Sequence, residues 1–353
     1  MHVILHAFGW ERLSSFPALA SALSSYPPDA IRNLIILGKT EGTATLNDFS
    51  REVATASATH AVRASLGQAV ADRSTLLFST GCEGIASPFG LALVVLDGAA
   101  PHGYPARLAI GTARTSPAPV EERGASPHAH RVAAAVEDAI ASAGLLPDQV
   151  RLVLVKSPVL PANYPALDGR AGSTGAARAA GAFGAALALG EVSATELDAT
   201  ISLLRTPLHS RRTMAFSGTE LEHDEIVVLG NRQGATGTLV IDTAPLVDAL
   251  DVGAMRRLAA AHGALWDEEG TPCMPSPLRA LFLKLGSPPG GHLRGLRTTV
   301  LGSDLTPDKH LRAAASGVAG AVFGTGRVFI SGGAEGQAPP GGGLFSMIAE
   351  ALP

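Results

Sequence analysis

The fold of this chain is decided by three short apolar runs ending in lysine, which read LIILGK at residues 34–39, LVLVK at 152–156 and LFLK at 281–284. Each run is too short and too uniformly apolar for an amphipathic helix, and this pattern is typical of a buried β-strand. Because the same pattern recurs three times along the chain, the sequence indicates an internal repeat.

An alanine-rich segment with one arginine follows each lysine. The pattern predicts three helices, which carry Arg51 in NDFSREVATASATHAV (47–62), Arg178 in STGAARAAGAFGAALALG (173–190) and Arg312 in TPDKHLRAAASGVAGAVFG (306–324). Asn47 or Asp48 and Thr306 are the expected N-caps, since their side chains can accept bonds from first-turn amides.

A second apolar strand then ends in serine and enters a glycine-containing turn. These strands read LLFSTGCEG with Ser79, TMAFSGTEL with Ser217 and VFISGGAEG with Ser331. The alternation of strands and helices predicts an α/β fold. We expect three similar βαβ-type units, at 1–100, 105–245 and 250–353, around a pseudo-threefold axis on which the lysines and serines meet.

Composition narrows the class of protein. Of the 353 residues, 46% are hydrophobic, which allows a large core, and the formal net charge is −4 without basic runs, which argues against nucleic acid as a partner. The two cysteines are far apart and predict a reducing, cytoplasmic location. The start MHVILHAFGWE lacks the basic and apolar stretches of a signal peptide, and we expect no membrane span.

A lysine next to a serine is a combination that can perform nucleophilic catalysis. A serine hydroxyl needs a base before it can act as a nucleophile, and lysine becomes that base when burial or nearby cations lower its pKa. Three lysines and three arginines around one centre predict at least one neutral lysine. Small residues after each serine (Thr80, Gly218 and Gly332) let backbone N–H groups approach a carbonyl oxygen.

Taken singly, each of these residues has a plainer interpretation. A lysine at a strand end is usually solvated, and a serine before glycine is usually a turn residue. What favours a site is the same order of lysine, arginine and serine in three copies. His128 and His130, in a proline-flanked stretch, are predicted at the surface, and His223 is predicted in a solvated turn.

The same segments resemble the ring-opening amidohydrolase family, which contains cyanuric acid hydrolase and barbiturase. The resemblance lies in LGKTEG, STGCEG, LVLVKSPVL, GTELEHDEIVVLGN, SDLTPDKHLRAAASG and VFISGGAEGQAPPGGG, which are spread over nearly the whole chain. It implies three similar units around a central active site, a homotetramer, and hydrolysis of a ring amide of cyanuric or barbituric acid.

The resemblance also implies roles for individual residues. The serine–lysine pair of the second unit is the catalytic one, which makes Lys156 the base and Ser217 the nucleophile. The substrate-binding residues that it implies are Lys39, Arg51, Ser79, Thr80, Arg178, Gly218, Lys284, Arg312, Ser331 and Gly332.

The second unit departs from the repeat at its serine. The other two units read Ser-x-Gly-x-Glu, at 79–83 and 331–335, but counting back from Glu220 places Phe216 where serine is expected. A one-residue deletion in the turn would restore Ser217 to the position of the nucleophile. In an unshifted register, Ser79 or Ser331 would be the candidate instead.

A structural divalent cation, Mg²⁺ or Ca²⁺, is also implied by the resemblance, and the chemistry itself needs no cofactor. The implied metal ligands in the C-terminal loop are Ala334, Gln337, Pro339 and Gly342. The glutamate that the family places just after the third lysine is missing, since Leu285, Gly286 and Ser287 follow Lys284. Hard cations prefer an anionic oxygen, so the sequence argues against metal binding.

Two other functions stay open at this stage. The chain can be a binding protein that holds a cyclic amide without cleaving it, or a hydrolase of an unrelated lactam. The altered register at Phe216 favours the binding protein, and the altered residues around the expected pore, namely Thr80, Ser157 and Phe216, favour the hydrolase of another lactam.

Overall fold

The computed structural model describes residues 1–43, 48–101, 103–160, 169–298 and 307–352. Two of the expected N-caps, Asn47 and Thr306, lie outside these ranges. The described chain forms three units, each built on a four-stranded sheet, with one additional two-stranded ribbon.

The first unit contains four strands and three helices. Its elements are β1 (His2–Phe8), α1 (Pro17–Leu23), β2 (Ile31–Thr40), α2 (Ser50–Leu66), α3 (Gln68–Arg73), β3 (Thr75–Thr80) and β4 (Phe89–Leu96). The strand order in the sheet is β1-β4-β2-β3. Only β2 and β3 run parallel, and α2 and α3 connect them.

The second unit repeats this plan. Its elements are β5 (Arg107–Arg114), α4 (Ser126–Ala143), β6 (Val150–Pro158), α5 (Thr174–Ala188), α6 (Ala194–Asp198), β7 (Thr213–Gly218) and β8 (Glu225–Arg232). The strand order is β5-β8-β6-β7, and β6 and β7 are the parallel pair.

The third unit has the same topology with a small ribbon added. Its elements are β9 (Leu239–Leu246), α7 (Val252–Ala261), β10 (Leu278–Leu285), β11 (His292–Leu293), β12 (Leu296–Arg297), α8 (Pro307–Phe323), β13 (Phe329–Gly332) and β14 (Gly343–Glu350). The sheet runs β9-β14-β10-β13, with β10 and β13 parallel. The expected α/β fold of three similar units is therefore confirmed.

The boundary between the second and third units differs from the expected one. The sequence division at 245–250 assigned β9 to the second unit, but β9 pairs along its whole length with β14, from Leu246 opposite Gly343 to Leu239 opposite Glu350. An antiparallel ladder of this length fixes β9 in the third sheet. The chain thus passes between these units before residue 239.

The three sheets share one apolar core. One buried cluster combines residues such as Leu37, Val155 and Phe282 from the inner faces of all three sheets. Two further clusters lie between the first and third sheets and their own helices, and another lies among the helices of the second unit. Because side chains alternate across a strand, Lys39 continues the inner face that Ile35 and Leu37 begin. The lysine side chains therefore point from the sheets towards the core that the three units share.

Within the described ranges, no helix combines the length and hydropathy that crossing a bilayer requires.

Candidate active site

A central cavity of about 410 Å³ opens where the parallel strands of the three units end. Nine of the residues expected at the site line it: Arg51, Ser79, Thr80, Arg178, Ser217, Gly218, Arg312, Ser331 and Gly332. The remaining three, Lys39, Lys156 and Lys284, are buried in the strands behind its wall and are at most 2% exposed. The structure thus brings together the twelve residues that the repeat singled out.

The first unit holds a lysine–serine pair. Lys39 and Ser79 are register partners on β2 and β3, so both side chains share one face of the sheet. The Lys39 Nζ lies 3.3 Å from the Ser79 Oγ and donates to the Thr80 carbonyl at 2.7 Å. Complete burial lowers the pKa of Lys39 to about 7.

The third unit holds an equivalent pair. Lys284 and Ser331 are register partners, and the Lys284 Nζ lies 3.0 Å from the Ser331 Oγ. Its other neighbours are the carbonyl oxygens of Ala215 at 2.7 Å and Gly332 at 3.1 Å. A neutral amine matches this set, since it has two N–H donors for the carbonyls and one lone pair for the hydroxyl. Burial, reinforced by Arg178, lowers the pKa of Lys284 well below its ordinary value.

In the second unit the expected pair of Lys156 and Ser217 is not formed. Lys156 is the register partner of Phe216, and Ser217 is the partner of Ser157. A shift of one residue along a strand moves a side chain to the opposite face, so Ser217 occupies the position of Thr80 and Gly332. The prediction that a one-residue deletion in the turn places Ser217 opposite Lys156 is therefore wrong. Phe216 occupies the position at which the other two units have serine.

Lys156 instead bonds to two other partners. Its Nζ donates to the Phe78 carbonyl at 2.5 Å and forms an ion pair with the Glu220 carboxylate, and both side chains are buried. Burial lowers the pKa of Lys156, although Glu220 acts in the opposite direction. We find no hydrogen bond from this amine to a serine in the described chain. Lys156 thus lacks the hydroxyl partner that a base for Ser217 needs.

Three ion pairs link the units in a cycle. Arg51 of the first unit bonds Glu220 of the second, Arg178 of the second bonds Glu335 of the third, and Arg312 of the third bonds Glu83 of the first. The distances from Nε to the carboxylate are 3.0, 2.8 and 2.7 Å, respectively. Burial raises the pKa of each glutamate, but the cations around it outweigh this effect and leave the pKa below its usual value.

These three glutamates were not among the functional residues predicted from the sequence. The signal was present, because Glu83, Glu220 and Glu335 each stand four residues after the register partner of the lysine. Each arginine is thereby held at the wall of the cavity, where a guanidinium can bind a carbonyl or carboxylate oxygen of a ligand.

The donors of the C-terminal loop do not fit a hard cation. The Ala334 and Pro339 carbonyls accept from the backbone N–H of Gln337 and Gly342 at 3.0 and 2.9 Å. The buried Gln337 amide contacts Ala215, Gly333 and Glu335. The two carboxylates beside the loop, Asp308 and Glu335, both face Arg178, at 3.9 and 2.7 Å. Hydrogen bonds within the protein therefore account for the order of the loop.

The environment of His128 also differs from its expected surface position. The side chain is fully buried, and its Nε2 lies 3.0 Å from the Asp224 carboxylate. The Gly124 backbone N–H donates to its Nδ1 at 3.1 Å, which places the proton of a neutral ring on Nε2. His128 thus joins the start of α4 to β8 and lies apart from the residues that line the cavity.

Two solved structures that resemble this chain over nearly its whole length are cyanuric acid hydrolases. One from A. caulinodans has a TM-score of 0.85 and 35% identity to this chain, with 99% of each chain covered. Another, described as an evolutionary innovation by structural concatenation, has a TM-score of 0.88 and 32% identity over 99% of each chain. The described fold is therefore that of the three-unit hydrolases.

The sequence also matches one protein family over nearly its whole length. A family model described as amidohydrolase ring-opening protein matches residues 11–350. A cyanuric acid amidohydrolase of Methylobacterium sp. (strain 4-46) is 37% identical over 94% of this chain and 92% of the relative. A cyclic amide hydrolase of Azorhizobium caulinodans is 32% identical over 99% of this chain and 100% of the relative. The chain belongs to the ring-opening amidohydrolase family.

Proposed function

We propose that this protein hydrolyses a small cyclic amide with Ser79 as the nucleophile and Lys39 as its general base. The observation that carries this proposal is the contact of 3.3 Å between the Lys39 Nζ and the Ser79 Oγ, at the wall of the cavity. A base with a pKa near the working pH is most effective, and the pKa of Lys39 is about 7.

The reaction has two stages. The Ser79 hydroxyl gives its proton to the neutral Lys39 amine as its oxygen bonds to a ring carbonyl carbon. The ring C–N bond then breaks, and the leaving nitrogen takes the proton from Lys39. Water then attacks the resulting ester and gives one proton to the neutral Lys39 amine. Lys39 passes this proton to the Ser79 oxygen as the ester C–O bond breaks, so that one water is consumed for each ring opened. The arginines at the cavity wall stabilise the negative charge that develops on the carbonyl oxygen.

The third unit serves a different role in this proposal. Lys284 holds two carbonyl oxygens besides Ser331, and its pKa lies well below normal, so it retains a proton poorly. Ser331 then binds a second carbonyl of the ring. Since the Lys284–Ser331 contact is the shorter of the two, the experiment must compare both pairs directly.

The test uses matched serine variants. Ser79→Ala is expected to lower kcat for ring opening by about 1,000-fold or more, since it removes the nucleophile. Ser331→Ala loses one hydrogen bond to substrate, which predicts a fall in kcat/KM of about 10- to 100-fold. Cyanuric acid, barbituric acid and 5,6-dihydrouracil form the first substrate panel, and mass spectrometry checks for an acyl group on Ser79. Full kcat in Ser79→Ala, with none in Ser217→Ala, would restore the original assignment of the nucleophile.

A second candidate is a binding protein without catalysis. It is favoured by the second unit, where Phe216 and the Lys156–Glu220 ion pair replace a lysine–serine pair. Binding of the same rings without turnover, unchanged in Ser79→Ala, would support it over the hydrolase.

We also propose that the protein assembles as a homotetramer, as the resemblance implies. Several large apolar side chains are exposed, among them Ile201, Val247 and Met274. Light scattering coupled to gel filtration measures the mass in solution directly, and a single species of 35.9 kDa would exclude a stable tetramer.

A further inference from the structure

The three walls of the central cavity are equivalent in topology but unequal in chemistry. The first and third walls each end in a lysine–serine pair, whereas the second presents Phe216 at the same register position. The Phe216 ring is only 4% exposed and packs edge-on against Phe329, with ring centroids 5.5 Å apart. The Lys284 Nζ lies over the Phe216 ring, 4.9 Å from its centroid. The phenyl ring is therefore held in place by the third unit.

A second feature makes this wall still more apolar. Val159 and Leu160, three and four residues after Lys156, both line the cavity and are less than a tenth exposed. Gly42 stands at the first of these positions in the first unit, and Ser287 in the third. Among the described residues, neither of them lines the cavity. The second unit thus supplies aliphatic side chains where its two counterparts supply none.

The second unit also contributes polar side chains to the cavity, namely those of Ser217, Thr219, Thr174 and Arg178. Ser217 is the register partner of Ser157, so its side chain lies on the opposite face of the strand from Phe216. Within the described ranges, no lysine amine forms a hydrogen bond with its hydroxyl as Lys39 and Lys284 do with Ser79 and Ser331. A ligand therefore meets a lysine-supported hydroxyl on two sides and, at the equivalent register position on the third, the phenyl ring of Phe216.

The difference between the three walls favours some ring substrates over others. A ring with three equivalent polar edges, such as a triazinetrione, would bury one carbonyl against Phe216 without a hydrogen bond, which is unfavourable. A ring with one –CO–NH–CO– group and one hydrocarbon edge would satisfy all three walls, because its carbonyls face the serines and its C–H bonds face the phenyl ring.

We infer that the substrate is a cyclic imide or ureide whose hydrocarbon edge rests on Phe216, Val159 and Leu160. This inference rests on the proposed ring-opening activity and narrows it to one substrate class. Phe216 acts as a specificity-determining residue, and it takes no part in the bond-breaking steps.

The test compares two six-membered rings that differ in this edge: 5,6-dihydrouracil, which has a –CH₂–CH₂– edge, and cyanuric acid, which has none. Wild-type protein is expected to show a kcat/KM for dihydrouracil at least about ten-fold above that for cyanuric acid. Phe216→Ser is expected to lower this ratio by about ten-fold or more. Phe216→Leu keeps a hydrocarbon wall and is the matched control, with a ratio within about three-fold of wild type. Thermal melting checks that each variant is folded.

The outcomes separate the inference from the activity on which it rests. Equal rates on both rings, with no change of the ratio in Phe216→Ser, would overturn the inference and leave the hydrolase standing. A loss of the preference in Ser217→Ala but not in Phe216→Ser would overturn it as well. If no variant opens either ring, the proposed activity fails, and calorimetry then decides. Preferential binding of dihydrouracil that is lost in Phe216→Ser supports the inference, and equal or absent binding overturns it.

Discussion

At the scale of single residues, the state of the Lys39 amine is set by the strands around it. Its side chain is fully buried, and an ammonium in such surroundings loses the solvation that water provides. Only Thr80 and Ser79 offer it an oxygen among the described residues. Burial therefore favours the neutral amine, which is the form that a base requires.

This lowered pKa predicts that stability increases with pH. The pKa of Lys39 is about 7 in the folded state and 10.5 in its reference state, so between these values the unfolded chain binds more protons. The free energy of unfolding must then rise with pH, by about 2 kcal/mol from Lys39 between pH 7 and pH 9. Urea unfolding at several pH values in this window measures the rise.

The window stops at pH 9 because Cys82 acts in the opposite direction above it. Burial raises the pKa of the Cys82 thiol from 9.0 to about 11, so the folded state there holds the extra proton. Lys39→Met, which keeps an apolar chain of similar length, is the control. The rise between pH 7 and pH 9 should be about 2 kcal/mol smaller in this variant. The same rise in both proteins would show that Lys39 is charged when folded.

At the scale of elements, the strands were predictable because their chemistry is local. A short apolar run such as LIILGK predicts a buried strand, and the sequence shows directly that the lysine stands at the end of this strand. The register of β7 was not predictable in this way. Reading along MAFS and reading back from Glu220 differ by one residue, and only pairing with β6 shows that Phe216 faces inward.

The role of a glycine within a helix was also not predictable, because the sequence does not reveal which helical glycines contact a neighbouring element. A Cβ at Gly184 in α5 would lie 2.5 Å from the Ala129 carbonyl oxygen of α4. A Cβ at Gly317 in α8 would have no neighbour within 4 Å. The same residue type thus serves helix packing at one position and has no contact to protect at the other.

Substitution of glycine by alanine should therefore have opposite effects on stability at these two positions. Gly184→Ala is expected to destabilise the protein by about 1–3 kcal/mol, since backbone atoms of α4 cannot move aside freely. Gly317→Ala is expected to stabilise it by about 0.5–1 kcal/mol, because alanine has the higher helix propensity. Denaturant midpoints compare the two variants with wild type. A stabilised Gly184→Ala would mean that α4 and α5 are packed less closely than described.

At the scale of the whole molecule, the units depend on each other through contacts that no single repeat contains. The cyclic ion pairs, Arg51 with Glu220, Arg178 with Glu335 and Arg312 with Glu83, each join different units. Sequence order placed the arginines on helices but carried no information on their partners. The pairing depends on how the sheets face one another, which only the assembled core determines.

A shared core also predicts that the three units unfold together. One buried cluster draws on the inner faces of all three sheets, so loss of one sheet would expose apolar surface of the other two. The chain has two tryptophans, Trp10 in the first unit and Trp266 in the third, which report on separate units. Trp10 stacks on Phe16, and the Trp266 indole donates to the Val322 carbonyl at 2.6 Å.

Single-tryptophan variants make this prediction measurable. In Trp10→Phe the fluorescence comes from Trp266, and in Trp266→Phe it comes from Trp10. Within each variant, the denaturant midpoint from fluorescence should equal the midpoint from far-ultraviolet circular dichroism, as a cooperative transition requires. This comparison removes any shift in stability caused by the substitution itself. A fluorescence midpoint that precedes the circular dichroism midpoint in one variant would identify a unit that unfolds on its own, and the central core would then not bind the three sheets into one cooperative structure.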